Sequence, residues 1–271
     1  MDSLVRQSQR SIEILAWNAR QTILSHPRYQ NKKMLIPYGL KVYSQADEDG
    51  IIQEIFKRLG VSKKTFIEIG VGDGTENNTL YLLLQGWKGT WIEGDSQCID
   101  SIKNTFYNLL NENQLKLIPK WVSKENINQV IDSYQPTGEI DLLSIDVDGN
   151  DYHIIESIKN LNARVVVLEY NGKFPPPTQW IIKYNPNHHW DGSDYFGASL
   201  KSFELLLFDK GYRLVGCNIV GNNAFFIRKD LVNDQFIDNY SAEIHYQPAN
   251  YWIIPGFIAG HRINFGPYCT F

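Results

Sequence analysis

Apolar residues recur at helical spacing near the start of the chain, where Leu4, Val5, Ile12, Leu15, Ala16, Ala19 and Ile23 predict an amphipathic helix over residues 4–23. His26-Pro27 and Pro37-Tyr38-Gly39 mark residues 26–40 as a connector. A second helix is expected from Ser44. Ser44 and Asp47 form a Ser-x-x-Asp capping pattern, Glu48 and Asp49 suit the positive end of the dipole, and Ile51, Ile52, Ile55, Phe56 and Leu59 follow before Gly60 stops it. The pattern then alternates. Short apolar runs at Thr65–Ile69, Thr90–Glu93, Lys116–Pro119, Asp141–Ile145 and Arg164–Glu169 predict strands, with helical stretches at 76–85, 97–111, 124–134 and 151–160 between them.

Near-continuous apolar strands suit a parallel sheet covered on both faces, and the alternation predicts a doubly wound, Rossmann-like α/β sheet with right-handed crossovers. A further helix, Leu200–Lys210, leads to strands Tyr212–Gly216 and Ala224–Arg228. Little more than Gly221-Asn222-Asn223 separates these two, so an antiparallel hairpin is expected at one sheet edge. The expected organisation is an N-terminal helical extension (1–43), one α/β domain (44–235) and an aromatic tail (236–271).

Composition narrows the function. At 271 residues, 43% hydrophobic and 21% charged, the chain is globular with a sizeable core, which excludes disordered and collagen-like classes. A net charge of −4 provides no field that would draw nucleic acid or an anionic membrane. Runs such as Val165–Leu168 and Leu205–Phe208 fall far short of the roughly 20 residues that span a bilayer. Residues 1–25 carry charges throughout and lack an apolar signal core. Cys98, Cys217 and Cys269 are odd in number and scattered, which fits free thiols in a reducing compartment. A cytoplasmic protein is expected.

The most informative stretch is Thr65-Phe-Ile-Glu68-Ile-Gly70-Val-Gly72-Asp73-Gly74, an apolar strand running into a loop with glycine at every second position. Thr75 and Glu76 are expected to open the next helix. Glycines there let the chain turn sharply and let a ligand lie against the backbone. In open α/β sheets, ligands bind in the crevice at the carboxyl ends of the strands. A dinucleotide fingerprint needs G-x-G-x-x-G, whereas the spacing here is G-x-G-x-G. Glu68, two residues before the first glycine, would repel a pyrophosphate but could accept from a cationic amino-acid group. Glu93 ends the second strand, where ribose hydroxyls are usually held. Together these favour a nucleoside with an amino-acid tail; the alternative is that the glycines only make a tight turn.

The segment Glu68-Ile-Gly-Val-Gly-Asp-Gly74 resembles the first motif of class I S-adenosylmethionine (SAM) methyltransferases. More narrowly, Ser144-Ile-Asp146-Val-Asp148-Gly149-Asn-Asp151, followed by Val167-Leu-Glu169-Tyr, resembles the FkbM-like methyltransferases. Phe203–Tyr212 is similar to that family's later helix and Gly-Tyr turn. The resemblance spans about residues 44–228 and departs at Asp148 and Asp151, where the family usually has Glu. It implies that Glu68, Gly70 and Gly72, with Asp73 beside them, line the methionine end of SAM. Glu93 would bind the ribose, and Lys120-Trp121-Val122 would lie near adenine, with Trp121 stacking on it or serving the core.

Methyl transfer requires a nucleophile held in line with the methyl group and, for a hydroxyl, help in removing a proton. Asp146 ends the fourth strand and Glu169 the fifth, so the two could converge above the sheet. Such oxygen ligands suit Mg²⁺ or Ca²⁺, with Asn171 and Asp148 as further ligands; alternatively these acids cap helices and bind backbone amides. Residues 171–197 are too long for a plain connector and rich in aromatics, which predicts an ordered lid or substrate wall. His188 or His189 there is a candidate general base, with His189 carried forward. The tail can pack on its own domain, close the pocket or form a homodimer interface, own-domain packing being the default. The sequence therefore predicts a SAM-dependent methyltransferase acting on oxygen of a small polyhydroxylated acceptor. The alternatives are an NAD(P)-dependent oxidoreductase, for which no Tyr-x-x-x-Lys pair is evident, and a non-catalytic SAM-binding module.

Overall fold

The computed structural model describes residues 2–134, 138–254 and 266–270. Its centre is a seven-stranded sheet of order β3-β2-β1-β4-β5-β8-β7. The strands are β1 (Thr65–Ile69), β2 (Lys88–Glu93), β3 (Leu115–Pro119), β4 (Ile140–Ile145), β5 (Ala163–Glu169), β7 (Tyr212–Cys217) and β8 (Asn223–Arg228). All neighbouring pairs from β3 to β5 are parallel. Only β8 runs against its neighbours, so the expected hairpin forms the edge. A two-residue strand, β6 (Ile181–Ile182), pairs with β9 (Tyr268–Cys269).

Alternate residues of each strand feed two cores, as the period of two requires. Ile67, Leu143, Val166 and Leu168 pack with α6 (Ile127–Tyr134), α7 (Asp151–Ser157) and α8 (Leu200–Asp209) on one face. Phe66, Trp91, Leu142, Val165 and Val167 pack with α2 (Glu48–Leu59), α3 (Leu80–Leu84) and α4 (Ser96–Thr105) on the other. A short α5 (Tyr107–Asn111) follows α4, and α9 (Ala242–His245) lies beyond the hairpin. No helix of the described residues is long and apolar enough to cross a membrane.

Several boundaries move. The first helix, α1, runs Asp2–Leu24, but its apolar stripe is not covered: Ile12, Leu15 and Trp17 are exposed, and Ala16, Ile23 and Leu24 make its contacts with the body. Helix α2 begins at Glu48, not Ser44, because the acids meant to cap it are used elsewhere. Asp49 accepts from the amides of Val42, Tyr43 and Ser44, and Asp47 turns to the amide of Ile219. Thr75 and Glu76 do not open a helix either. Asp73 accepts from the Thr75 amide and Asn77 from those of Thr79 and Leu80, so residues 75–79 are turns and α3 starts at Leu80. In the tail, Phe236 is buried in the second core, and the Tyr246 hydroxyl donates to the Gly172 carbonyl. Phe257, Phe265 and Phe271 lie outside the described residues.

One buried pair ties the amino ends of the central strands together. Asp141, fully buried, accepts from Arg164 at 2.8 Å and from the amides of Ser62, Lys63 and Thr65. Burial works against its charge, but Arg164 and the three amides overcome this and lower its pKa. Replacing Asp141 by Ala leaves three amides without their acceptor and the Arg164 guanidinium with only the Gly60 and Leu59 carbonyls and Glu139 at 3.8 Å, so a loss of about 2–4 kcal/mol is expected in denaturant unfolding at neutral pH. A loss below about 1 kcal/mol would contradict this account of how β1, β4 and β5 are aligned.

Candidate functional site

The strand order reverses between β1 and β4, the place where an open α/β sheet leaves a crevice at its carboxyl edge. A cleft of about 460 Å³ opens there, walled by residues 70–73 after β1, 93–95 after β2, Trp121, residues 146–148 after β4, Glu169 after β5, and residues 188–190 of the long loop.

The glycine loop is shaped from both sides. Gly70 has φ 79°, and a Cβ on it would sit 1.7 Å from the Asp146 carbonyl oxygen, so this glycine lets β1 and β4 end side by side. Gly72, at φ 56°, is different: a Cβ there would meet nothing within 4 Å, which leaves the backbone bare toward the cleft. Glu93 holds the loop in place. One oxygen accepts from the amides of Val71 and Gly72 at 3.1 and 2.9 Å, the other from those of Gly94 and Asp95 at 2.7 and 2.8 Å. These four bonds use the acceptor capacity of the carboxylate. Asp73 lines the cleft and is held charged by the hydroxyl and amide of Thr75, which lower its pKa.

Glu68 is not part of the cleft wall. It is buried behind the loop, where it accepts from the Asn78 amide and the Thr79 hydroxyl, and Thr79 in turn accepts from the Trp91 indole. Burial pushes its pKa up to about 7 against those bonds. Its position follows from register: Glu68 pairs with Ser144, and Asn78 donates to that hydroxyl from the covering turn.

Asp146 and Glu169 do converge. Register places them level on adjacent parallel strands, one residue beyond the Ile145–Leu168 pair. Asp148 joins them, and an oxygen from each of the three carboxylates lies within 4.8 Å of the others. Asp151 builds the turn that presents Asp148, accepting from the Val147 and Gly149 amides at 2.9 Å each, while Asp148 itself adopts φ 53°. The cluster is open to the cleft on one side and enclosed on the others. Enclosure first, and then the mutual repulsion of the carboxylates, raise the pKa of Asp146 and Glu169 well above the usual range. Asp148 is the exposed member of the three; its pKa is raised too, by partial desolvation against its neighbours, with His188 working the other way. One Glu169 oxygen, Oε2, is buried with no hydrogen-bond partner among the described residues.

Asn171, expected among the ligands, does not reach this cluster. It is fully buried, and its amide is occupied: Nδ2 donates to the carbonyls of Asp194 and Phe196, and Oδ1 accepts from the Lys173 amide. It ties the two ends of the long loop together instead. That loop forms the cleft wall. Trp121, 44% exposed and therefore no core residue, donates to the Pro186 carbonyl, and its ring lies 4.9 Å from that of His189. His188 packs against Gly149 so closely that a Cβ there would lie 2.1 Å from its ring. Both histidines and Trp190 line the cleft. Sequence reasoning missed Asp95 and Gln45 in the wall. Asp95 carried a signal, since it caps α4 through the Gln97 and Cys98 amides. Gln45 carried none, because it reaches the site through Asn222, far away in the chain.

No protein-family model matches the chain, and comparison with curated proteins finds no match either. Among solved structures, the chain is similar to a SAM-dependent methyltransferase from Clostridium acetobutylicum, at 9% identity over 78% of this chain and 98% of that one, TM-score 0.43. It is similar to an O-methyltransferase from Bacillus cereus in complex with SAH, at 13% identity over 80% and 89%, TM-score 0.43. It is also similar to the glycopeptide N-methyltransferase MtfA complexed with SAM, at 9% identity over 65% and 84%, TM-score 0.39. Likeness at this level carries no conclusion about activity, so function must be argued from the cleft.

Glu68 offers a test of the buried acids. A carboxyl whose pKa is raised on folding binds its proton more tightly in the folded state, so its contribution to stability is greatest at low pH. That contribution is lost as pH climbs from the unfolded pKa through the folded one. With Glu68 raised to about 7, wild type should lose stability relative to Glu68→Gln, on the order of 3 kcal/mol between about pH 4 and about pH 8. Chemical denaturation of both proteins across that range measures it, and parallel profiles would contradict the buried acid.

Proposed function

We propose that this protein is a SAM-dependent methyltransferase that methylates a hydroxyl of a small polyhydroxylated molecule, such as a sugar or natural product. The observation that carries this reading is a cleft at the topological switch point, acidic at the ends of β2, β4 and β5 and open along the Gly72 backbone. Its residues fit that cofactor. SAM carries a sulfonium and an ammonium against one carboxylate, so its net charge is positive, and carboxylates in a partly enclosed cleft attract it. A pyrophosphate would instead face Asp73, Glu93, Asp95, Asp146 and Asp148, with Lys120 the single Lys or Arg among the described lining residues. A volume of about 460 Å³ lies in the usual range for ligand pockets. The Ser144–Asp151 and Val167–Tyr170 segments support the FkbM-like branch.

When bound, SAM supplies an electrophilic methyl group on a positively charged sulfur. The chain supplies the rest. Gly72 and Asp73 border the methionine end, and Glu93 takes ribose hydroxyls in exchange for one of its loop amides. Trp121 offers its ring to adenine, the face now approached by His189. Asp146 and Glu169 orient the acceptor hydroxyl toward the sulfonium side, and His188, which faces Asp148, receives its proton, because His189 lies against Trp121 at the adenine end. The three carboxylates Asp146, Asp148 and Glu169 also fit a hard divalent cation such as Mg²⁺, given their spacing and the unpartnered Oε2 of Glu169. Such an ion would lower the pKa of an acceptor hydroxyl.

Transfer of labelled methyl from SAM to a panel of polyhydroxylated acceptors tests this, with Mg²⁺ or with a chelator. Wild type should label at least one acceptor. Glu169→Ala should reduce transfer by about 100-fold or more, in line with the loss of a residue that orients the reacting group. Gly72→Ala places a methyl group in the cleft and an L-residue at positive φ, and should weaken SAM binding at least about tenfold while the protein stays folded. Undiminished transfer by Glu169→Ala would remove the role given to the acid cluster.

A further inference from the structure

A second cavity, of about 420 Å³, lies beside the first, between α1, the segment leading into α2, the turn before β8 and residues 251–254. Its character is opposite to that of the acidic cleft. Ala16, Trp17, Ala46, Ile219, Val220 and Ile253 line it, and Trp17 is 61% exposed on α1. An indole so exposed at the mouth of an apolar groove leaves a large surface uncovered.

Two observations say what would occupy the groove. Gln45 lines both cavities, and Asn222 holds its side-chain oxygen at 2.6 Å, so this one fixed side chain stands between the groove and the cleft. Arg20 lines the groove with its guanidinium. Its terminal nitrogen Nη2 donates to the Gly39 carbonyl and lies 3.8 Å from Asp47. Its Nε–H, although buried, has no partner among the described residues. The Arg20 side chain as a whole is 23% exposed along the groove, so its charge is open to a ligand oxygen there. Glu13, Lys41 and Asp47 complete the polar side of the groove, and burial pushes the Asp47 carboxyl up to about 7, so the two bases are not fully offset there. Arg20 therefore marks a place for an oxygen acceptor on the ligand.

We propose that this groove binds an apolar ring or chain bearing an oxygen acceptor. Resting on the methyltransferase reading, it takes the part of the acceptor molecule that the acidic cleft cannot hold. The acceptor then joins a hydroxylated portion, seated at Asp146 and Glu169, to an apolar portion reaching past Gln45 to Trp17 and Arg20.

The probe is 8-anilinonaphthalene-1-sulfonate, an apolar double ring system carrying sulfonate oxygens, titrated by fluorescence into the full chain. Saturable binding near one dye per chain is expected. Trp17→Ala should weaken it at least about fivefold, and because Trp17 is exposed, this variant should melt like wild type. Arg20→Met, which keeps the length of the side chain and removes its donors, should also weaken binding. Saturating S-adenosylhomocysteine should leave the dye bound, and both variants should keep their S-adenosylhomocysteine affinity within about twofold, since neither residue lines the first cleft. Dye binding unchanged in both variants, or displaced by S-adenosylhomocysteine, overturns the groove. Failure of S-adenosylhomocysteine to bind wild type, with dye binding still dependent on Trp17, overturns the methyltransferase reading and leaves the groove.

Discussion

Asp146, Asp148 and Glu169 are brought together by backbone. Parallel register sets Asp146 level with Glu169, and the Asp151 carboxylate folds the turn that adds Asp148. At the separations seen, ionised carboxylates repel one another by on the order of 3 kcal/mol per pair at a dielectric typical of protein surfaces. The chain answers by raising their pKa values, which keeps protons on groups that would be bare in water. A cation entering such a site would take the place of those protons and return the carboxyls to their charged form. The closeness of β1 and β4, the bare Gly72 backbone and the loop wall at His188 and His189 all arrange access to that point.

The same carboxyl edge divides its acids by function. Glu93 and Asp151 spend their oxygens on backbone amides and so fix the loops. Glu68 faces the covering helices and ties the turn after Gly74 to the sheet. Asp146, Asp148 and Glu169 carry no such bonds to loop amides and present their oxygens to the cleft. Which acid does which follows from the side of the strand it occupies and from how many amides lie within reach.

Much of this architecture was legible in the sequence. The apolar runs marked every strand of the main sheet to within two residues, because buried parallel strands leave few polar positions to blur them. Helix starts were less legible. At Ser44 a tertiary partner took the capping acid, since Ile219 claimed Asp47, and at Thr75 a local turn formed in place of a helix, with Asp73 accepting from the Thr75 amide. Asp146 and Glu169 could be paired because strand ends align in a parallel sheet. Asn171 misled because sequence places it beside Glu169 and cannot show that its amide is already satisfied. Gln45 could not be found at all, since its place depends on a contact with Asn222 across most of the chain.

The central claim is that an acid-lined, glycine-floored cleft selects a cationic amino-acid nucleoside over a dinucleotide. Calorimetric titration of the wild-type protein with S-adenosylmethionine, and separately with NAD⁺, tests it most directly. The account predicts micromolar binding of the first, a free energy of about −8 kcal/mol, and none of the second. Binding of NAD⁺ alone would contradict it, because a pyrophosphate would then have been accepted among the carboxylates on which the account rests.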